Sequence, residues 1–264
     1  MMKVIINADD LGISNSVNEA IEDAINKGLI TSSTIMANAD GYERAIKIAR
    51  SYPYISFGVH LTLDEFYPIT RNPLFQEYGI VDNDFRFVKG AIYKVKFDKK
   101  ILSAIEEELD AQISKIKESG VAVSHLDSHH HIHTIPHLRD VIVRLMAKHN
   151  IHAVRGCHYT NMTRFLNGFR FLNKGLLYEI AYLMAKVSKS FKNRKWNEEM
   201  AKVAKVTDFF CPTKTYFYNR PYFNALDDNK ILELECHPGH LKYNKETELL
   251  KNLTGIEKIT YNDL

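Results

Sequence analysis

Five of the chain's 12 histidines lie within the stretch from Ser124 to His133. In an extended segment, successive side chains point to opposite sides. That alternation predicts a row of metal-binding groups on one side, with His130 on the other; the row is Asp127, His129, His131 and His133. Imidazole and carboxylate groups suit Zn²⁺ or another transition ion, and a site richer in carboxylates and water suits Mg²⁺. The stretch alone leaves an adventitious histidine-rich loop open as the alternative.

Further site-type residues accompany apolar, strand-like segments elsewhere in the chain. Asp9 and Asp10 follow the first such segment, in a predicted loop between a strand and a helix. His60 lies inside a third segment, and His237 follows a late one. Each has an ordinary structural alternative: turn formers, a satisfied core histidine and a histidine that ends a strand. Two adjacent carboxylates beside a buried strand are nevertheless costly unless they are paired or bind a metal.

These segments belong to a repeating order of strand, polar loop and helix, which predicts a parallel α/β barrel in a single domain, residues 1–264. The predicted strands are Lys3–Asn7, Ser33–Ala37, Ser56–Leu63, Val121–Leu126, His152–Gly156, Asp208–Cys211 and Ile231–Cys236. The predicted helices begin at Ser14 or Asn15, Tyr42, Asp98 and Pro136, and 162–205 is mostly helical with a basic run at 186–195. In a barrel, the carboxyl ends of the strands meet on one face, so we expect the aspartates and histidines to form one metal site.

Residues 64–97 lack periodicity and predict a long loop, with a hairpin at Arg86–Lys94. A loop of this length in a compact domain usually shapes a binding cleft.

Composition limits the other classes of function. Hydrophobic residues make up 45% of the chain and the net charge is +3, so no nucleic-acid partner is indicated. No stretch approaches the roughly 18 apolar residues of a membrane span, and the first apolar run is too short for a signal-peptide core, so we expect a cytoplasmic protein without a membrane partner. Three cysteines without a CxxC pair make a disulfide scaffold or a cysteine zinc site unexpected.

Four ordered motifs resemble those of the YdjC-like carbohydrate deacetylases. They are NADDLGIS from Asn7, GVHLT from Gly58, HLDSHHHIH from His125 and CHPG from Cys236. The resemblance covers residues 3 to about 240 and implies a distorted (β/α) barrel like that of the polysaccharide deacetylases. It also implies one divalent cation per subunit, Mg²⁺ or Zn²⁺, an acetylated carbohydrate substrate and a homodimer.

The same resemblance implies Asp10, His60 and His129 as metal ligands, Asp9 as the catalytic base and His237 as the acid. The chemistry of the residues agrees, because two histidines and one carboxylate leave positions open on an ion, and amide hydrolysis needs both a base and an acid.

Four more residues are expected to support the ligands or line the cleft: Asp127, His131, His133 and Arg155. Arg155 would hold Asp9 ionised, or form only a surface ion pair. The predicted activity is metal-dependent hydrolysis of an N-acetyl group on an amino sugar, with release of acetate. The loop aromatics Phe66, Tyr67, Phe75 and Tyr78 would supply a stacking surface for the sugar, or only pack within the loop. The alternatives are a phosphoesterase, which usually needs a second ion, and a non-catalytic metal- or sugar-binding protein.

Overall fold

One sheet of eight strands forms the centre of the molecule, in a computed structural model that describes residues 1–157, 191–224 and 229–264. The strands are β1 Met2–Leu11, β2 Ser32–Ile35, β3 Ser56–Leu61, β4 Val123–Ser128, β5 Ala153–Val154, β6 Phe209–Pro212, β7 Ile231–Cys236 and β8 Ile256–Lys258. Their order across the sheet is β5-β4-β3-β2-β1-β7-β6, with β8 beside the start of β1, and the pairs are parallel.

The two edges of this sheet approach each other. The backbone N–H of Val154, in β5, donates to the carbonyl of Lys205, and the N–H of Lys205 donates to the carbonyl of His152. Lys205 lies just before β6, so these bonds join the segment leading into one edge strand to the other edge strand. The predicted α/β fold with a distorted parallel barrel is therefore confirmed.

Helices connect the strands and pack against the sheet. They are α1 Asn15–Asn26, α2 Tyr42–Ser51, α3 Leu74–Glu77, α4 Lys99–Glu118, α5 Arg139–His149, α6 Thr213–Tyr218, α7 Arg220–Asn224 and α8 Glu246–Lys251, and residues 191–200 are also helical. The predicted capping residues are observed: Ser14 accepts from the N–H of Val17, and Asp98 accepts from the N–H groups of Lys100 and Ile101. Such caps satisfy donors that have no partner within the helix.

The long connection 64–97 is tied to the body of the protein rather than free. The Glu108 carboxylate accepts hydrogen bonds from the backbone N–H groups of Ile69 and Thr70, at 3.0 and 2.8 Å. The predicted hairpin at Arg86–Lys94 is wrong. The chain forms a single antiparallel bridge between Val81 and Phe87 and then a 3₁₀ helix at Ala91–Lys94.

Two sequence predictions near the site also need correction. Asp9 and Asp10 lie within β1 itself and not in the loop that follows it. The extended backbone ends at Ser128, and residues His129–Thr134 form a 3₁₀ segment. Its residues His130 and His131 have φ values of 50° and 58°, so side-chain alternation does not continue beyond the strand. The predicted row of Asp127, His129, His131 and His133 on one side of a strand is therefore wrong.

The predicted helical region 162–205 and its basic run lie largely outside the described residues. The three cysteines, Cys157, Cys211 and Cys236, are buried. Within 1–157, 191–224 and 229–264, no helix combines the length and apolar character needed to cross a bilayer.

Gly58 allows close contact between β3 and β4. A Cβ atom at this position would lie 2.6 Å from His125 Cε1 and 2.7 Å from the His125 carbonyl oxygen. The backbone carbonyl cannot move as a flexible side chain would, so an added methyl group forces the two strands apart.

We therefore expect Gly58→Ala to lower the free energy of unfolding by about 1–3 kcal/mol, the usual range for overpacking. Denaturant unfolding measures the change. Unchanged or increased stability, as alanine gives at an uncrowded strand position, would contradict the tight contact.

Candidate metal centre

Three side chains that are far apart in sequence meet at the carboxyl ends of β1, β3 and β4. Asp10 Oδ1 lies 3.2 Å from His60 Nε2 and 2.8 Å from His129 Nδ1. All three residues are buried, and their potential ligand atoms lie within 4.8 Å of one another. The predicted ligands thus converge, as expected for residues at the ends of parallel strands.

Unusual backbone conformations direct these groups. Asp10 has a φ of 69°, and the pairing of β1 with β2 is irregular between Ala8 and Leu11. His129 is followed directly by two histidines in the left-handed region. Non-glycine residues adopt this region rarely, and such strain concentrates at functional sites.

Asp127 fixes the orientation of the His60 ring. His60 Nδ1–H donates to Asp127 Oδ1 at 2.8 Å, and the Thr34 hydroxyl donates to Asp127 Oδ2 at 3.0 Å. Because Nδ1 faces Asp127, Nε2 is the ring nitrogen that faces Asp10. A carboxylate that orients a ligand histidine in this way is typical of metal sites.

Asp10 is suited to bind a cation. Burial by itself raises the pKa of its carboxyl, but contacts with His129, His240 and His60 hold the pKa well below its usual range. His129 also contacts a second carboxylate, since its Nε2 lies 2.9 Å from Glu65 Oε2. Burial would lower the pKa of His129, but the hydrogen bonds that its ring donates to the Asp10 and Glu65 carboxylates raise it to about 9.

The predicted base Asp9 is held by Arg155 behind this centre. Arg155 Nη1 and Nη2 each donate to one Asp9 oxygen at 2.6 Å. Burial would raise the pKa of Asp9, but the guanidinium charge lowers it far below the usual range. Arg155 is 0% exposed, so the alternative of a surface ion pair is wrong.

Arg155 also contacts the carboxylates of Asp127 and Glu233. Its Nη2 lies 3.0 Å from Asp127 Oδ2, and its Nε donates to Glu233 Oε1 at 2.7 Å. The guanidinium carbon lies 4.8 Å from the centre of the Phe210 ring. One buried cation therefore contacts both the predicted base and the carboxylate that orients His60.

Glu235 and His237 also lie close to Asp9, with potential ligand atoms of the three residues within 4.8 Å of one another. Burial and the nearby charge of Asp9 raise the pKa of Glu235 to about 8. Burial would lower the pKa of His237, but Glu246, Glu235 and Asp9 raise it to about 9. His237 therefore carries a proton at neutral pH, as a general acid must.

The other two predicted histidines have different positions. His133 is fully buried: its N–H and ring contact Ser128, and its Nε2 donates to the Arg155 carbonyl at 3.2 Å. Burial and the Arg155 charge lower its pKa to about 3, so it stays neutral. His131 is one-third exposed and lies 3.6 Å from Glu235. Of the two, only His131 lines the cleft.

A cleft of about 510 Å³ opens onto these groups. Asp9, Asp10, His60, His129 and His237 all line it, and the remaining lining residues include Glu65, Lys89, Glu235, His240 and Tyr243.

The loop aromatics expected to stack on a sugar do not line this cleft. Phe75 and Phe66 are buried, Tyr78 donates to Asp98 at 2.6 Å, and Tyr67 faces solvent elsewhere. Tyr243 lies at the cleft instead and stacks on His237, with ring centres 4.3 Å apart. Of the two alternatives for these aromatics, packing is the one observed for Phe66 and Phe75, and Phe75 contacts Phe87 of the same loop.

Sequence reasoning did not select four polar residues of the site: Glu65, Glu233, Glu235 and His240. His240 Nε2 lies 3.1 Å from Asp10 Oδ2. Its place in the motif His237-Pro238-Gly239-His240 was a usable signal. Glu233 and Glu235 were detectable as two carboxylates in an otherwise apolar strand.

The donor set fits a divalent cation. Two imidazoles and one carboxylate form a mixed nitrogen and oxygen site, and one imidazole is already oriented by Asp127. The neighbouring group Asp9, Glu235 and His237 fits less well, because the positive charge of Arg155 already lies against both Asp9 oxygens.

Comparisons with known proteins find related sequences. The family model described as YdjC-like protein matches residues 3–258. A carbohydrate deacetylase from Clostridium beijerinckii is 28% identical over 91% of this chain and 82% of its own length. Another from Halalkalibacterium halodurans is 39% identical over 57% of this chain and 62% of its own length. A third, from Brevibacillus brevis, is 33% identical over 57% of this chain and 58% of its own length, so the last two matches span less than two thirds of the relatives.

The fold has a solved counterpart. A crystal structure of a protein proposed to act in cellobiose-phosphate cleavage, from Enterococcus faecalis V583, superposes with a TM-score of 0.72. The match covers 99% of this chain and 98% of the other at 24% sequence identity, and it supports the fold alone.

We expect Asp127→Asn to weaken Zn²⁺ binding by about 10- to 100-fold, because the amide no longer fixes the protonated nitrogen of His60. Calorimetric titration of the metal-free protein measures the affinity.

Asp110→Asn is a matched control. Asp110 also accepts from a histidine, His149 Nε2 at 2.7 Å, but this pair joins α4 and α5 away from the centre. Equal losses of affinity in the two variants would show that Asp127 has no special role at the metal centre.

Proposed function

The chain belongs to the YdjC-like family, and on this premise we propose that it is a metal-dependent carbohydrate deacetylase. It hydrolyses the N-acetyl group of an acetylated amino sugar or oligosaccharide and releases acetate. One observation carries the proposal: the buried Asp10, His60 and His129 cluster shares a cleft with an ionised Asp9 and a protonated His237.

Asp10, His60 and His129 hold the cation in this proposal. A divalent ion bound there supplies a Lewis acid that polarises the acetamide carbonyl and lowers the pKa of water. Asp127 keeps His60 in the tautomer whose Nε2 can bind. The Asp10 carboxyl is ionised over the whole neutral range because its pKa is held low.

Asp9 acts as the general base. It accepts a proton from the water molecule whose oxygen attacks the acetyl carbon. Arg155 keeps the carboxylate ionised and fixes its plane through the two 2.6 Å hydrogen bonds.

His237 acts as the general acid. The nitrogen of an amide leaves poorly unless it is protonated, and His237 donates that proton as the carbon–nitrogen bond breaks. The products are acetate and the free amine of the sugar. The Glu246 carboxylate lies 3.6 Å from His237 Nδ1 and stabilises the charged ring before transfer.

The cleft also supports a sugar substrate. Its volume of about 510 Å³ lies within the range of small-molecule sites. The Tyr243 ring provides an apolar surface beside His237. Polar groups such as Glu65 and Lys89 line the same cleft. Tyr243 takes the stacking role that the sequence had suggested for the aromatic residues of 64–97.

A two-metal phosphoesterase is the less favoured function. It would need a second ion at Asp9, Glu235 and His237. The positive charge of the Arg155 guanidinium lies against both oxygens of Asp9 and disfavours a further cation there.

Three finer parts of the proposal come from the sequence and the family resemblance. They are Mg²⁺ or Zn²⁺ as the cation, a homodimer as the assembly and the cytoplasm as the location. Metal analysis of the purified protein and its mass in solution test the first two.

We expect the protein to release acetate from small N-acetylglucosamine oligosaccharides and to lose this activity with a chelator. Enzymatic measurement of acetate tests both, and adding back Mg²⁺ or Zn²⁺ should restore turnover. No acetate from any acetylated sugar by metal-loaded protein would overturn the proposed function.

We expect Asp9→Asn to lower kcat by about 10²- to 10⁴-fold, the usual contribution of a general base. Metal affinity should stay within a few-fold of the wild type, because Asp9 is not a ligand in this proposal. A variant that keeps full turnover would exclude Asp9 as the base, and one that loses the metal would make it a ligand.

A further inference from the structure

Tyr261 lies near the carboxyl terminus, yet its side chain reaches the interior of the barrel. It begins the 3₁₀ helix Tyr261–Asp263, which has a capping box with Thr260. Its backbone N–H donates to the Ser56 hydroxyl at 3.1 Å, and its ring stacks on His125 with centres 3.5 Å apart. These contacts fix the orientation of the ring, so the position of its hydroxyl group is fixed as well.

The Tyr261 hydroxyl donates to Glu233 Oε2 at 2.5 Å. The other oxygen of Glu233 accepts from Arg155 Nε at 2.7 Å. Arg155 in turn donates one hydrogen bond from each of its terminal nitrogens to the Asp9 carboxylate. Hydrogen bonds therefore connect the terminal segment to the proposed base without a break.

We propose that Tyr261 is a positioning residue for Asp9, acting through Glu233 and Arg155. The inference rests on the proposed function for its kinetic consequence. Neither Tyr261 nor Glu233 is among the residues that line the cleft, so the proposed role is positioning and not catalysis.

The geometry of the guanidinium group explains how this works. Its five donors lie in one plane, so a bond at the Nε edge fixes the direction of the two terminal nitrogens. Glu233 provides the bond at that edge, and the Tyr261 hydroxyl holds the second oxygen of Glu233. Rotation of the carboxylate would rotate the fork that holds Asp9.

The hydroxyl has little other reason to be there. The ring alone could fill the space against His125, whereas the buried hydroxyl needs a partner to offset its desolvation. Burial and the Glu233 charge raise the pKa of Tyr261 well above its usual value, so it remains a donor.

Tyr261→Phe keeps the ring and removes the donor. We expect kcat for acetate release to fall about 10- to 100-fold, the usual cost of removing an outer partner of a site, with KM and metal affinity unchanged. Tyr42→Phe is the matched control, because it removes a hydroxyl that donates to the Lys115 carbonyl at 3.0 Å between α2 and α4. Equal kcat in the Tyr261 variant and the wild type would overturn the inference.

A double-mutant cycle separates positioning from a general loss of stability. If Tyr261 acts through Glu233, the double variant with Glu233→Gln should be no slower than Glu233→Gln alone. Multiplied losses in kcat would show that the two residues act independently and would overturn the pathway.

A second readout needs no substrate. The Arg155 Nε–H signal in the ¹⁵N-correlated NMR spectrum should move in Tyr261→Phe and remain in place in Tyr42→Phe. An unmoved signal in Tyr261→Phe overturns the inference even if no acetylated sugar is hydrolysed. Failure of acetate release with a displaced signal overturns the proposed function and keeps the connection from Tyr261 to Arg155.

Discussion

The buried guanidinium of Arg155 is the constraint on which the rest of the site depends. It follows the short strand β5 and reaches the carboxylates of Asp9 in β1, Asp127 in β4 and Glu233 in β7. Moving such ions out of water costs several kcal/mol each, and their attraction offsets this only when the geometry is good. The network is therefore better explained by the positions it imposes than by added stability. One side chain connects strands from both halves of the sheet.

This arrangement makes the proposed base and the metal centre parts of one network. Asp127 contacts Arg155 with one oxygen and His60 with the other. Asp9 is adjacent in sequence to Asp10. A shift of the guanidinium would thus move His60, a proposed ligand, and Asp9, the proposed base, together. The same network gives two nearby carboxyl groups different pKa values. Asp9, beside the Arg155 guanidinium, has a low pKa, whereas Glu235, 3.6 Å from Arg155 Nη1, has a pKa of about 8. Groups that differ in this way suit acid and base roles.

The sequence predicted most of what depends on strand ends. Asp10, His60 and His129 could be brought together from three distant motifs because parallel strands deliver their carboxyl ends to one face. The direction of His131 and His133 could not be predicted, because the left-handed conformations at His130 and His131 have no glycine to announce them. Glu233 and Glu235 alternate with apolar residues, a pattern that usually means one face in water. Here that face points into the barrel, where Glu233 accepts hydrogen bonds from Arg155 and Tyr261, both far from it in the sequence.

The structure divides the site between strands and loops. The strand residues form a buried polar network that leaves little freedom, whereas Glu65, Lys89, His240 and Tyr243 reach the cleft from connections. Loops tolerate change that a packed sheet does not, so substrate choice belongs with these connections. Yet the connection 64–97, which carries Glu65 and Lys89, is fixed near both of its ends. Glu108 accepts hydrogen bonds from the backbone of Ile69 and Thr70, and the Tyr93 hydroxyl donates to the His130 carbonyl. Since His130 follows His129, a proposed ligand, the segment 64–97 is connected directly to the candidate metal centre. A change of loop sequence that alters the substrate must therefore preserve the Tyr93 contact, or it will also disturb His129.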